Sequence, residues 1–155
     1  MSVEYIIQLS SGLLTPLIAI VAVYVAWQQS KTAKQKLTLD TYDRNLRIYE
    51  EVKKFLLIII QGGDVDFDEA IKFRSSVSEA DFLFGSEIVQ YIDEIYKRAI
   101  KLRQRNNEYR DDTQVKPEGY NHSKVVDEMH IELVWLAEQL EPAKEKFRKY
   151  LSIKR

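Results

Sequence analysis

The sequence predicts an all-α protein in which one N-terminal transmembrane helix continues into a small antiparallel helical bundle. Three observations carry this reading. From Tyr5 to Trp27 the chain reads YIIQLSSGLLTPLIAIVAVYVAW, with no charged residue between Glu4 and Lys31. Beyond it, apolar residues recur at steps of three and four, the spacing of one helix face. No stretch alternates apolar and polar residues in the manner of a half-buried strand. The expected division is an N-terminal anchor, 1–30, and a cytoplasmic helical bundle, 31–155, enough chain for one small domain and not two.

The first element is the anchor. At about 1.5 Å per residue, a helix of about 23 residues reaches roughly 34 Å, enough to cross a hydrocarbon core of about 30 Å. Its dense part is Leu17, Ile18, Ile20, Val21, Val23, Tyr24, Val25 and Trp27, the expected membrane anchor, whereas Gln8, Ser10, Ser11, Gly12, Thr15 and Pro16 dilute the first half. A soluble core helix is the competing reading. Against it, Ile18, Ile20, Val21, Val23 and Val25 are apolar all round and leave no polar face for water. Pro16 cannot donate a backbone hydrogen bond and presses on the carbonyl of Gly12, so the helix is expected to kink there or to begin there with Thr15 as its cap. Tyr5 at one end, and Tyr24 and Trp27 at the other, suit the headgroup level. Lys31, Lys34 and Lys36 follow the span, while the N-terminal flank has only Glu4. Positive charge stays inside, which places the N-terminus outside, the rest in the cytoplasm, and the three lysines against the inner leaflet. Because the charge follows the apolar run, the segment reads as a retained anchor and not a cleaved leader.

The next stretch has no proline or glycine until Gly62. Leu39, Tyr42, Leu46, Tyr49, Val52, Leu56 and Ile59 mark one helical face, and the span is expected to continue into it unbroken. Asp40 to Arg44, Asp43 to Arg47 and Glu50 to Lys54 are acid-before-base pairs that suit an exposed helix. Phe55 to Ile60 is apolar on all sides and must be covered by other helices or by a second subunit. Tyr42, Leu46, Tyr49, Phe55, Leu56 and Ile59 therefore form the candidate interaction surface. Gly62 and Gly63 end the helix, since glycine takes the left-handed conformation readily.

DVDFDEA opens a second helix, expected near Phe67 to Ala80, with Asp66, Asp68 and Glu69 against its positive end and Ile71, Phe73 and Val77 inward. DFLFG then forms a turn. Ser86 is the expected cap of a helix from Glu87 to about Tyr109, with Ile88, Ile92, Ile95, Ala99 and Leu102 as its buried stripe. Arg110 to His122, with Pro117 and Gly119, reads as a polar loop. A last long helix, near Ser123 to Glu141, carries Val126, Met129, Leu133, Leu136 and Leu140, and Pro142 starts a short terminal helix that packs through Phe147 and Leu151.

The formal net charge of −1 hides blocks of alternating sign: 64–96 and 111–141 are acidic, 97–110 and 142–155 basic. Folded against one another such blocks attract; mixed charge on solvated outer faces is the simpler account.

Chemistry is sparse. With no cysteine there is no disulfide, thiol nucleophile or thiolate metal site, and five glycines include no nucleotide-binding pattern. His122 and His130 stand eight apart, too far for a zinc pair on one helix. DVDFDE lacks the glycine and the distal glutamate of a calcium loop. An active site built from Asp40, Asp43, Arg44, Arg47 and Tyr49 is explained more simply by ion pairs along a helix. KRAIKLRQR, Lys97 to Arg105, reads as a solvated helix end and not a nucleic-acid contact.

WQQ after the span, KLTLDTYDRNLRIYEEV, FLFGSEIVQYIDEIYKRA and FRKYL together resemble a loose group of small bacterial proteins with one N-terminal span and a helical cytoplasmic tail. That resemblance implies the bacterial inner membrane and a single-pass topology, and no site residue. The expectation is a non-catalytic, membrane-anchored interaction or scaffold module without cofactor, nucleic acid or small-molecule substrate, whose partners are the bilayer and a second copy or another protein. The alternative is a membrane-disrupting or pore-forming effector of a bacterial stress or anti-phage system, resting on the small, polar face of Ser10, Ser11, Gly12 and Thr15.

Overall fold

The computed structural model describes residues 3–110, 116 and 119–152, with side chains from Pro16 onward. Among these the protein is all-helical: α1 (Val3–Gly62), α2 (Phe67–Ser76), α3 (Ala80–Leu83), α4 (Ser86–Arg110), α5 (His122–Glu138) and α6 (Leu140–Arg148). The chain divides into two compact units, Met1–Thr41 and Tyr42–Arg155, the boundary falling within α1.

In the first unit the backbone is helical on both sides of Pro16, so α1 does not begin there. Thr32, Thr38 and Thr41 each turn a hydroxyl back onto the carbonyl four residues earlier. Among the described residues no helix is long and apolar enough to cross a membrane. The crossing expected over Tyr5 to Trp27 is thus not met by them. Leu17 to Trp27 amounts to about 16 Å of helix, half of a hydrocarbon core of about 30 Å, and Gln28, Gln29, Ser30 and Lys31 follow directly. The side chains of the diluted half, through Thr15, lie outside the described residues.

In the second unit α2, α4 and α5 alternate in direction. Arg98 meets Glu132, and Arg105 meets Glu128, so α5 descends as α4 ascends. Arg103 with Asp66, and Arg74 with Asp93, give the same opposition between α2 and α4. The core joins Ile48, Val52, Phe55, Leu56 and Ile59 of α1 to Phe73, to Ile88, Ile92, Ile95, Ala99 and Leu102 of α4, to Leu136 and to Phe147. Phe55 and Phe73 stack with ring centroids 4.0 Å apart, and Phe84 meets Phe147 edge-on at 5.1 Å. The α4 stripe lies where its spacing places it.

Several expectations are corrected by packing. On α1 the buried line is Ile48, Val52, Phe55, Leu56 and Ile59, preceded by Asn45; Val52, Leu56 and Ile59 lie inward as expected, and Leu39 is exposed. A polar residue at the head of that line concealed its phase. Phe55, Leu56 and Ile59, expected on an interaction surface, are buried by the chain's own helices, while Tyr42, Leu46 and Tyr49 are half-buried. No second subunit is needed to cover them. On α2 it is Ala70, not Ile71, that turns inward. The helix ends at Ser76, short of Ala80, where the Ser76 hydroxyl bonds the Phe73 carbonyl and the Ser78 N–H reaches Ser75. Such local bonds compete with helical continuation. DFL falls within the short α3; Phe84 is buried and Phe82 is 88 % exposed.

The acid-before-base pairs of α1 do not form among the described residues; Arg44 and Arg47 both turn to Glu79 instead. On α5 Val125 is buried and Val126 exposed. The capping residue is Asn121, whose side chain accepts the Lys124 N–H. The break before α6 falls at Gln139, which bonds its own Trp135 carbonyl while its backbone oxygen accepts the Tyr91 hydroxyl. Pro142 lies inside the first turn of α6, where its missing N–H is no loss.

Candidate membrane and partner surfaces

The largest exposed apolar surface lies on α1. Leu17, Ile18, Ile20, Val21, Val23, Tyr24, Val25 and Trp27 are 43 to 70 % exposed, on every side of the helix. A shallow groove runs along it, lined by Leu17, Ile18, Val21, Ala22, Val25, Ala26 and Gln29. Tyr24 and Trp27 stand with ring centroids 6.4 Å apart, and the Lys31 ammonium lies 5.8 Å from the Trp27 ring. Lys34 and Lys36 are exposed beyond it. Ser10, Ser11, Gly12 and Thr15, which carried the pore-forming alternative, have side chains outside the described residues.

The polar clusters of the second unit act in its packing. Glu132 is 3 % exposed and accepts Arg98 at 3.1 Å and Lys101 at 2.7 Å; the Arg98 guanidinium also lies 4.2 Å from the Trp135 ring centre. A carboxylate taken this far from water requires such partners. Asp64 binds Arg110 and its neighbour's N–H, and Asp66 binds Arg103 and the first N–H of α2. Two acids of DVDFDE, Asp64 and Asp66, are thus engaged with arginines and backbone N–H groups, and Glu69 pairs with Lys72. These pairs join the basic block 97–110 to both acidic blocks, and Lys149 pairs with Glu87, so the alternation of charge along the chain reappears as contacts between helices. Sequence spacing held this signal only as a block sum; which acid meets which base depended on helix register.

Electrostatic shifts follow from the same pairs. The Lys97 ammonium, hydrogen-bonded from one turn away, holds the Asp93 carboxyl below the usual range, with Arg74 adding to it. Lys149 does the same for Glu87. Burial pushes the Tyr91 phenol up, with a smaller push from Glu94, and its hydroxyl donates to the Gln139 carbonyl at 3.1 Å. His122 packs between Tyr109 and Tyr120, and His130 is exposed on α5.

Beyond α1 the exposed large apolar residues sit on separate elements: Phe67 and Ile71 on α2, Phe82 on α3, Tyr109 on α4, and Val126, Ile131 and Val134 on α5. A cleft of about 180 Å³ is lined by Arg74, Val77, Ser78, Asp81, Val89 and Ile92. Its arginine is already paired with Asp93. No family model, no curated protein and no solved structure matches the chain.

Proposed function

We propose that the protein is a non-catalytic, membrane-tethered helical module: α1 fixes it in a bacterial inner membrane through Leu17 to Trp27, and the bundle binds another protein or a second copy at the cytoplasmic face. One observation carries the tether. The eight large apolar side chains from Leu17 to Trp27 stand exposed around the whole helix, whereas those of Phe55 to Ile59 find cover within the chain. Fully burying one such side chain is worth about 1.5 to 3 kcal/mol, so an open helix of this composition calls for lipid. The binding role rests on less surface, the outward Ile131 and Val134 of α5 and Phe82 of α3.

The test uses the full chain in bacterial cells. After alkaline extraction the protein is expected in the membrane pellet, and Val21→Lys with Val25→Lys, each costing about 2.5 to 3.5 kcal/mol in lipid, is expected to release it. Recovery of the unaltered chain in the soluble extract, free of lipid and partner, would overturn the tether. In-cell crosslinking from Phe82 or Ile131 that captured nothing would overturn the binding role.

A further inference from the structure

Leu17, Ile20, Tyr24, Trp27, Lys31 and Lys34 follow one another at alternating steps of three and four, and therefore lie on one face of α1. Read along the helix, that face passes from aliphatic to aromatic to cationic. A phospholipid has the same order from acyl chain through glycerol to phosphate.

The geometry agrees with the order. Tyr24 and Trp27 are neighbours in space, and Lys31 is drawn over the Trp27 ring at 5.8 Å, which aligns the ammonium with the stripe. Along the axis Lys31 lies about 6 Å beyond Trp27, Lys34 about 10 Å and Lys36 about 13 Å, whereas the headgroup layer on each side of a bilayer is about 5 to 7 Å deep. Lys31 falls within it, and Lys34 reaches back into it through its flexible stem. Lys36 is farther out and on the opposite face. No acidic residue occurs between Glu4 and Asp40, and among the described residues none of the three lysines is in an ion pair. Their charge is left for an external anion.

We propose that this stripe is a docking site for anionic phospholipid, the headgroup phosphate lying between Lys31 and Lys34 and an acyl chain along Leu17, Ile20 and Tyr24. The proposal rests on the tether reading and adds selectivity to it. Charge complementarity names the occupant: two unpaired cations meet a phosphate at the edge of an apolar, aromatic-capped helix.

The experiment takes the full chain in mild detergent and mixes it with vesicles of phosphatidylcholine, alone or with about 30 % phosphatidylglycerol; bound protein is separated by flotation. Partition is expected to favour the anionic vesicles by about tenfold or more, and about 0.5 M salt to remove most of that preference. Lys31→Gln and Lys34→Gln are each expected to lower the preference about fivefold, and Lys36→Gln by less than about twofold. Trp27→Ala is expected to weaken binding to both vesicles. Equal partition to the two compositions, or equal losses from all three lysine changes, would overturn the site while leaving the tether standing. Failure to float with either vesicle would overturn the tether, and the site with it.

Discussion

Gly63 is a residue whose identity the backbone dictates. Its φ is +63°, and a Cβ there would meet nothing within 4 Å, so the demand is conformational and not steric. Gly63→Ala is expected to destabilise the protein by about 1 to 2 kcal/mol. The adjacent Gly62→Ala, in ordinary helical conformation with open space around it, is expected to be neutral or stabilising by up to about 1 kcal/mol. Urea unfolding of the two variants checks the contrast. Glu132→Gln removes the charge that Arg98 and Lys101 share; because both cations keep part of their solvent, the expected loss is about 2 kcal/mol, below that of a fully buried pair. Glu128→Gln, in a more exposed pair with Arg105, is expected to lose less than about 1 kcal/mol. Asp93 supplies a pH test. Its folded carboxyl titrates below the usual value, so its contribution is present above the unfolded pKa and lost as pH falls through the lowered one. Lys97→Gln is expected to be less stable than the parent near neutral pH, and the two stability curves to converge as pH falls below the usual carboxylate range.

At the scale of elements, α6 works as a clasp. Phe147 is fully buried against Phe84 and Tyr49, and just past the helix the Tyr150 hydroxyl accepts the Gly85 N–H while its carbonyl accepts the Asn45 amide. One short helix thereby ties α1 to the start of α4. Phe147→Ala is expected to cost about 3 to 5 kcal/mol, read as a fall in the unfolding midpoint; a loss below about 1 kcal/mol would mean the clasp is not part of the cooperative core. The α4–α5 pair is different, held by a ladder of acids and bases above a continuous apolar stripe. Apolar spacing located α4 almost to the residue, because its stripe is regular and faces a single core. The same reasoning misjudged α2, where Ala70 and not Ile71 takes the inward position and the helix ends early at Ser76.

Across the whole molecule, the buried residues among those described begin at Asn45, inside the unit Tyr42–Arg155. The chain from Tyr42 onward is therefore expected to fold without residues 1–41, unfolding cooperatively with a midpoint within a few degrees of the full-length protein. Calorimetry of the two checks this, and a fragment without a cooperative transition would show that the first unit is needed for folding.

Composition and periodicity were enough to establish an all-helical chain, the turn at Gly63, the stripe of α4 and the concentration of apolar side chains before Lys31, because each depends on neighbours in sequence. Long-range packing decided the rest. Phe55, Leu56 and Ile59 looked like an interface until the other helices closed over them, since burial is a property of what arrives from elsewhere in the chain. Arg44 and Arg47 chose Glu79 over acids one turn away, and Glu132 became a buried anion, because side-chain partners across helices are set by register. Local spacing has no means of expressing that register.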